Sequence, residues 1–328
     1  MRPRVLLAAD VGGTKTLVRR AEWSDGKSVT LAERRYENRE FPDLRGVLDD
    51  FLKGGEGAPD AACIALAAPV AGRRARLTNL DWTIDADALG AAFGISRVRL
   101  INDFEAVALG VGELGERDLE ALQPGRPVAQ APRVVLGAGT GLGVAWLFWN
   151  GRRYVPVATE GGHADFAPSG ELQINLLKHV AGKFGHVSWE RVLSGPGLVE
   201  IFRYLDEELS DAPLGLGSLA PGDDPAARIA ELGLAHRHPA ADEALDLLMQ
   251  IYGAFAGNLA LTGLTRGGVY LAGGIAPKLL PRLREGGFMA AFVDKGRFGP
   301  LLREIPVRVV TSPEVGLLGA LSAAADLP

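Results

Sequence analysis

The stretch Val5-Leu6-Leu7-Ala8-Ala9-Asp10-Val11-Gly12-Gly13-Thr14-Lys15-Thr16 places an apolar run, an aspartate and a glycine turn at the start of the chain. The run Val5–Ala9 predicts a buried strand, and Leu17–Ala21 predicts the strand that returns from the turn. Gly12 and Gly13 permit positive φ angles and allow backbone N–H groups to approach an anion closely. We therefore expect a glycine hairpin that cradles a phosphate, although a plain hairpin has the same pattern.

A second segment of the same kind begins at residue 134. Val134–Leu136 predicts a strand, Gly137-Ala138-Gly139-Thr140-Gly141-Leu142-Gly143 a glycine turn, and Val144–Phe148 the returning strand. Neither turn has the Gly-Lys-Ser/Thr entry to a helix that marks a P-loop, or the third glycine of a dinucleotide fingerprint. The weak internal duplication instead indicates two related α/β domains that face a cleft.

The composition narrows the class of protein. A chain of 328 residues suits two domains, and 47% hydrophobic with 23% charged residues is typical of a soluble globular protein. The net charge of −5 disfavours nucleic acid as a partner. Cys63 is the single cysteine, so no intramolecular disulfide forms, and the longest apolar stretch, 134–149, is glycine-broken and too short to span a membrane. We expect a cytoplasmic protein that binds neither membrane nor nucleic acid.

Asn102 and Asp103 follow a predicted strand, Arg97–Ile101. Glu105 stands three residues after Asn102, which is the spacing of a capping box, so Asn102 also fits a helix N-cap. An aspartate fixed at such a strand end suits a general base that accepts a proton from an attacking hydroxyl. Asp10, beside the first turn, would repel a bare phosphate and fits only if Mg²⁺ or its water shell lies between them.

The segment Glu160-Gly161-Gly162-His163 joins a carboxylate and an imidazole across two glycines. This pair suits a sugar, whose vicinal hydroxyls each need a donor and an acceptor, but it also fits a charged turn or a metal pair. Glu190 alone is more simply explained as a solvated helix carboxylate.

The remaining elements are predicted from apolar spacing and from Gly and Pro positions. They are a strand at Cys63–Leu66, a helix at Ala86–Phe93, a connection at 116–133, an exposed loop at 209–225, a helix containing Leu245, Leu248, Tyr252, Phe255 and Leu259, a strand at Val269–Ala272, and a turn and closing helix at 312–325 that packs on the N-terminal domain.

Several motifs, in this order and over nearly the whole chain, resemble those of the bacterial glucokinase family. They are Asp10-Val11-Gly12-Gly13-Thr14, Ile101-Asn102-Asp103-Phe104, the turn at 137–143, Glu160-Gly161-Gly162-His163, Ser194-Gly195-Pro196-Gly197-Leu198, Ala272-Gly273-Gly274-Ile275, Asp294-Lys295-Gly296-Arg297-Phe298 and Gly316-Leu317-Leu318-Gly319.

The resemblance implies an actin-like ATPase (ribonuclease H-like) fold of two α/β domains around a central cleft that binds ATP, with Mg²⁺, and glucose. It implies a small domain over 1–113 plus about 311–328, a large domain over 114–310, and a homodimer. The implied roles are Asp103 as general base for the sugar 6-hydroxyl, Asn102, Glu160, His163 and Glu190 as ligands of the other hydroxyls, Asp10, Gly12, Gly13, Thr14, Gly139, Thr140 and Gly141 at the phosphates, and Gly273 and Gly274 near the adenosine.

Other interpretations stay open. Lys15 stands where several relatives have asparagine, so its role at the phosphates is undetermined. A related kinase and repressor family carries a cysteine-rich zinc motif that a chain with Cys63 alone cannot form, so we expect no structural zinc. The runner-up functions are a kinase for fructose, mannose or an N-acetylhexosamine, and a non-catalytic sugar-sensing protein. The sequence does not distinguish ATP from ADP or polyphosphate as donor.

Overall fold

The computed structural model describes residues 2–24, 26–55, 57–77, 80–208, 215–217, 220 and 222–328. The strands are β1 Arg4–Val11, β2 Lys15–Ser24, β3 Lys27–Glu37, β4 Ala61–Leu66, β5 Val70–Ala71, β6 Arg74–Arg76, β7 Thr83–Asp85, β8 Val98–Asn102, β9 Leu119–Gln123, β10 Arg133–Ala138, β11 Leu142–Trp149, β12 Tyr154–Thr159, β13 Gly268–Ala272 and β14 Val307–Val310. The α-helices are α1 Leu44–Leu52, α2 Ala86–Phe93, α3 Asp103–Gly110, α4 Gly170–Phe184, α5 Trp189–Val192, α6 Gly195–Arg203, α7 Pro225–Leu234, α8 Pro239–Gly263, α9 Ile275–Lys278, α10 Leu280–Arg284, α11 Gly287–Val293, α12 Gly299–Glu304 and α13 Val315–Ala325.

The chain divides into two compact units. The first unit comprises Met1–Arg117, Tyr154–Ala158 and Ser312–Pro328, and the second comprises Asp118–Arg153 and Thr159–Thr311.

The sheet of the first unit has the order β3-β2-β1-β4-β8. The predicted hairpin is confirmed: β1 and β2 pair antiparallel, and β4 and β8 run parallel to β1. In the register of the sheet, Val11 lies beside Leu66, and Leu66 lies beside Asn102. The glycine turn after Val11 and the segment after Asn102 therefore leave the sheet at the same edge, where the carboxyl ends of parallel strands meet.

Alternate residues of β1 face two cores, as the period of a strand requires. Leu7 and Ala9 pack on the side of α1 and α2, whereas Leu6 and Ala8 pack on the side of α3 and α13. The prediction that the closing helix packs on the N-terminal elements is confirmed, since α13 contacts β1, β4 and α3.

Helices α3 and α13 cross at backbone contact. A methyl group at Gly110 would collide with the carbonyl oxygen of Val315, and one at Gly319 would collide with that of Ala106. Only glycine permits this separation. The helix that begins at Asp103 is thus held by a segment more than two hundred residues later in the chain.

The sheet of the second unit repeats the arrangement of the first, in the order β11-β10-β13-β14-β9. The strands β10 and β11 form an antiparallel hairpin, and β13 and β14 continue parallel to β10. The predicted duplication of strand, glycine turn and strand is therefore present in the structure, and the fold class of two related α/β units is confirmed.

The connection predicted at 116–133 is wrong in part. Leu119–Gln123 forms β9, which pairs antiparallel with β14 at the edge of the second sheet. An edge strand is only half-buried and needs no strong apolar pattern, so Leu-Glu-Ala-Leu-Gln resembled a loop. Of the loop predicted at 209–225, residues 209–214, 218–219 and 221 lie outside the described residues, and Pro225 begins α7.

The predicted amphipathic helix is confirmed as α8, which is the centre of the second unit. Leu245, Leu248, Tyr252 and Phe255 are buried there, and Leu259 packs against the same core. Of the described helices, α8 is the one long and apolar enough to cross a membrane by length and composition, yet 72% of its most apolar window is buried inside the protein. Its apolar character is explained by its place in the core.

Candidate active site

The first turn, Gly12–Thr14, is held by backbone and side-chain hydrogen bonds. The Gly12 N–H donates to Lys15 O at 2.9 Å, and the side-chain amide of Asn38 donates to Gly12 O at 2.9 Å. The Asn38 backbone N–H donates to Thr14 O at 2.8 Å. Among the described residues none accepts from the N–H groups of Gly13 or Thr14. The turn therefore presents two backbone donors for an anion.

Gly12 differs from our expectation in one respect, because its φ is not left-handed. A methyl group at Gly12 would lie 3.4 Å from Lys15 O, which is an ordinary contact distance. The turn itself therefore does not require glycine at this position.

Asn38 is a residue that sequence reasoning missed. Its side chain is 1% exposed, and besides binding Gly12 O it accepts a hydrogen bond from Thr16 Oγ1 at 2.7 Å. It follows the exposed strand β3 in a run of charged residues, and no motif there points to the first turn. Its role depends on pairing between distant segments.

Asp10 and Asp103 are brought together in the first unit. Burial, with the negative charge of Asp103 as the smaller cause, raises the pKa of the Asp10 carboxyl to about 6. A methyl group at Gly316 would lie 2.9 Å from Asp10 Oδ2, so the start of α13 closes over this carboxylate. A carboxylate whose proton affinity is raised by burial and by a neighbouring carboxylate is a group that a bound cation would keep ionised.

The N-cap interpretation of Asn102 is confirmed. Its Oδ1 accepts from the N–H groups of Phe104 at 2.9 Å and Glu105 at 3.3 Å, and its Nδ2 donates to Ala68 O at 3.3 Å. Asp103 Oδ1 accepts from Phe104 N–H at 2.8 Å, which fixes the carboxylate at the helix start.

The capping box is incomplete, because Glu105 turns to Arg99 instead of the Asn102 backbone. The Arg99 Nη2–Glu105 Oε1 distance is 2.8 Å. Burial raises the pKa of Glu105 in spite of this guanidinium.

The second turn, Gly139–Gly141, has a similar set of bonds. The Gly139 N–H donates to Gly141 O at 2.8 Å, and Gly139 O accepts from the Gly195 N–H at 2.7 Å. Glu190 Oε2 accepts from the Leu142 N–H at 2.8 Å. Within the part of the chain that the structure describes, Thr140 and Gly141 donate their N–H groups to no protein acceptor. This turn also presents two consecutive donors.

Glu190 is therefore not the solvated helix carboxylate that its sequence context suggested. A methyl group at Gly141 would lie 2.8 Å from its Oε2, so the carboxylate packs directly beneath the turn. Its Oε1 has no hydrogen-bond partner among the described residues. One oxygen thus braces the turn while the other remains available.

Glu160 precedes a short 3-10 turn, Gly161–His163, and His163 is the last residue of that turn. Their side chains are 82% and 59% exposed, and His163 Nε2 lies 3.8 Å from Glu160 Oε2. A methyl group at Gly162 would collide with Leu142 O, so this turn lies directly on β11.

Leu142 is therefore where these residues converge. Its N–H binds Glu190, and its carbonyl oxygen contacts Gly162. The Trp189 N–H also donates to Ala164 O at 3.0 Å, which ties the two segments together. The structure thus brings Glu160, His163, Glu190 and the second turn together in the second unit. Sequence reasoning gave Leu142 no role, since its contribution is made entirely by backbone atoms.

A cavity of about 940 Å³ lies in the second unit beside the second turn. Its volume matches pockets that bind small ligands. Gly274 lines it with an open surface, whereas Gly273, at a φ of 77°, makes the tight turn past Ala138 O and is not part of the lining. The other lining residues are Gly139, Thr140, Gly195, Pro196, Leu198, Val199, Asp224, Pro225, Ala226, Ala227, Ala230, Ile275, Lys278 and Leu279.

The structure also places Lys15, whose role the sequence left open. Its side chain extends to the surface, where Nζ lies 3.4 Å from Glu37 Oε1.

No cluster of three or more His, Cys, Asp or Glu side chains that would hold a metal occurs among the described residues. A divalent cation would therefore need substrate phosphates or water for most of its ligands, as Mg²⁺ does with nucleotides.

Comparisons with known proteins agree on one family. The family model for glucokinase matches residues 7–327. The glucokinase of Nostoc punctiforme is 42% identical over 339 aligned positions, which cover 98% of this chain and 99% of that one. The crystal structure of glucokinase from an Antarctic psychrotroph matches with a TM-score of 0.88 at 28% identity, covering 99% of both chains. That of the Balamuthia mandrillaris enzyme in complex with glucose matches with a TM-score of 0.81 at 23% identity, covering 98% of this chain and 94% of the other, and at that identity shows the fold alone. The chain therefore belongs to the glucokinase family, the enzymes that phosphorylate glucose with ATP.

Proposed function

We propose that this chain transfers the terminal phosphoryl group of ATP to the 6-hydroxyl of D-glucose, with Asp103 as the general base. The observation that carries the assignment is the position of Asp103: it starts α3, its Oδ1 is fixed by the Phe104 N–H, and its charge acts on Asp10 beside the first turn. A carboxylate held in this way is a rigid proton acceptor.

In the proposed reaction Asp103 accepts the proton of the 6-hydroxyl as that oxygen forms a bond to the terminal phosphorus. The bond between this phosphorus and the bridging oxygen breaks, and ADP leaves. The free N–H pairs of Gly13 and Thr14 and of Thr140 and Gly141 would hold phosphate oxygens. Such preorganised donors stabilise the charge that spreads over the transferred group.

The sugar would be held by Asn102, Glu160, His163 and Glu190. The free Oε1 of Glu190 and the exposed side chains of Glu160 and His163 support this role, because each is able to bind a hydroxyl. Glucose is also the ligand of the Balamuthia mandrillaris structure, which has the same fold. The apolar part of the 940 Å³ cavity suits the adenosine, with Gly274 at its wall and Gly273 shaping the turn.

Mg²⁺ fits the residues of the first unit. Asp10 offers one carboxylate whose pKa is raised by burial and by Asp103, so a cation there would favour its charged form. We propose that Asp10 holds the metal through water, and that the metal neutralises phosphate charge when it is bound.

We further propose a small domain over 1–113 plus 311–328 and a large domain over 114–310, in a cytoplasmic homodimer without nucleic-acid or membrane partners. These assignments are supported by the family resemblance and the acidic net charge of −5.

A coupled assay of sugar 6-phosphate formation with Mg-ATP tests the proposal across glucose, fructose, mannose and N-acetylglucosamine. We expect glucose to have by far the highest kcat/KM. Asp103→Ala should lower kcat by about 10³-fold, in the range of general-base catalysis, with a much smaller effect on the glucose KM. Asp87→Ala is the matched control, since it removes an exposed carboxylate from the first turn of another helix, α2.

Turnover with a different hexose at higher kcat/KM would replace glucose as the substrate. Normal turnover by Asp103→Ala would overturn the base assignment. Silence on every sugar with nucleotide binding intact would favour a sugar-sensing protein.

A further inference from the structure

We infer that Asn38 is a positioning residue for phosphoryl transfer, which aims the backbone N–H of Gly13 in the first turn at the nucleotide phosphates. This inference rests on the proposed function, because it names the part of the protein that orients the first phosphate site. Asn38 lies outside every motif of the family resemblance.

The geometry follows from the planarity of the peptide bond. In a trans peptide the C=O and the following N–H point in opposite directions. The Asn38 side chain holds Gly12 O at 2.9 Å, and its backbone N–H holds Thr14 O at 2.8 Å. The Gly13 N–H, which shares a peptide with Gly12 O, is therefore directed away from Asn38 and out of the turn.

The second turn has the same bond from a different donor. Gly139 O is held by the backbone N–H of Gly195 at 2.7 Å, and the next N–H, that of Thr140, has no protein acceptor among the described residues. In both turns the carbonyl of the first glycine is thus fixed from behind, and the following N–H is free. The repetition in an independent segment favours a role in anion binding over simple stabilisation of one loop.

Asn38 is itself rigidly held. It is 1% exposed, its Oδ1 accepts from Thr16 Oγ1 at 2.7 Å, and its Nδ2 donates to Gly12 O at 2.9 Å. Thr16 is fully buried in β2 and bonds to the opposite atom of the amide. Asn38 is thus the residue that bonds to the carbonyl of Gly12, and Thr16 contributes to the stability of the same buried network.

Three variants distinguish a role of Asn38 in directing the Gly13 N–H from a role in the stability of the fold alone. Asn38→Ala removes the donor to Gly12 O, and Asn38→Asp keeps the acceptor for Thr16 but places a carboxylate oxygen against the Gly12 carbonyl. Thr16→Val is the matched control, because it removes the same buried network's other bond and leaves the donor to Gly12 in place. Each is measured by urea unfolding, by the KM values for ATP and glucose, and by calorimetric binding of the non-hydrolysable analogue Mg-AMPPNP.

We expect both Asn38 variants to raise the KM for ATP and the Kd for Mg-AMPPNP by about tenfold or more, the effect of losing one well-placed hydrogen bond. The glucose KM should stay within about twofold, which also reports a folded protein. Thr16→Val should change the nucleotide constants by less than about threefold even if its unfolding midpoint falls equally.

Equal effects of Asn38→Asp and Thr16→Val on nucleotide binding would overturn the positioning role, as would Asn38 variants with wild-type constants. If Asn38→Ala does not fold, Asn38→Asp decides the matter. A wild type that binds no Mg-AMPPNP would overturn this inference together with the proposed function. A wild type that turns over glucose while the Asn38 variants keep their ATP KM would overturn this inference alone.

Discussion

The two glycine turns reach the same arrangement with different supports. In the first, a neutral buried amide, Asn38, fixes the carbonyl of Gly12. In the second, a backbone N–H from Gly195 fixes the carbonyl of Gly139, and a carboxylate, Glu190, binds the N–H of Leu142 just beyond the turn. What the two share is a pair of N–H donors that have no acceptor among the residues the structure describes. The comparison indicates that the direction of these donors matters more than the residue that sets it.

The turns also differ in their surrounding charge. The first has the carboxylates of Asp10 and Asp103 beside it, and the second has one carboxylate beneath it whose other oxygen is open to a ligand. The neutral side chain of Asn38 suits the first turn, which already has two negative charges beside it. A third negative charge there would disfavour the binding of a phosphate further. The second turn tolerates a charged residue, Glu190, which binds the N–H of Leu142, while the carbonyl of Leu142 contacts the segment Glu160–His163 at Gly162.

Among changes to the residues that surround or support the two turns, apart from the proposed base, removing the charge of Asp10 should have the largest effect. Asp10→Asn should lower kcat/KM for Mg-ATP by about 100-fold, because the carboxylate proposed to hold the metal is lost. In the wild type, kcat/KM should fall as the pH drops through about 6, the pKa of Asp10, and this limb should be absent from the variant. The measurement is a pH profile of initial rates for both proteins.

The same substitution should stabilise the fold at neutral pH. The pKa of Asp10 is raised from 3.8 to about 6, so the folded state binds the proton more tightly and loses stability as the pH rises through this range. At pH 7.5 the Asn variant should be more stable by about 2 kcal/mol in urea unfolding, with a smaller difference near pH 5. An Asp10→Asn variant that is fully active, or that is less stable at pH 7.5, would refute this account of the first turn.

Disturbing the contact between Leu142, beside the second turn, and Gly162, in the segment Glu160–His163, should have the next largest effect. Gly162→Ala should destabilise the protein by about 1–3 kcal/mol, because the added methyl group meets the Leu142 carbonyl. It should raise the KM values for glucose and ATP together. Urea unfolding and steady-state kinetics provide the measurements.

Gly182→Ala is the matched control for this change. It places the same methyl group within α4, where no described atom other than those of the neighbouring residues and the helix's own backbone lies within 4 Å, and should leave stability equal or higher by about 0.5–1 kcal/mol. If Gly162→Ala were as stable and as active as Gly182→Ala, the contact at Leu142 would have no energetic meaning.

Replacing the carboxylate of Glu190, which supports the second turn, by a neutral amide should have the smallest effect. Glu190→Gln keeps an oxygen to accept the Leu142 N–H but removes the charge from the atom proposed to bind a hydroxyl. We expect the ATP KM to stay within about twofold and the glucose KM to rise by about tenfold. Glu190→Ala should raise both, since it removes the brace as well. If the KM for ATP rose equally in Glu190→Gln and Glu190→Ala, Glu190 would need its charge to support the second turn, contrary to this prediction.

The sequence predicts those features that depend on local patterns. The two hairpins, α2, α8, the N-cap at Asn102 and the closing helix all follow from apolar spacing and from glycine or capping residues, and the structure confirms them. The functional motifs were visible for the same reason, because glycine turns and carboxylates at strand ends have local signatures.

The parts that were missed are those set by contacts between distant segments. Asn38 reaches the first turn from the far end of a strand without apolar pattern, and Leu142 acts only through its N–H and C=O. β9 is an edge strand defined by its partner β14. None of these has a signal within a short window, since the residue type is ordinary and only the tertiary arrangement gives it a role.

The packing of α13 has a consequence for how the enzyme matures during synthesis. Asp10 and Asp103 are both made in the first third of the chain, but α13, which closes over Asp10 and lies in backbone contact with α3, is translated only at residues 315–325. A nascent chain therefore has its proposed base unsupported until residues 315–325 have been added. Prematurely released products lacking α13 should be inert, so that ATP is not hydrolysed by incomplete copies of the enzyme.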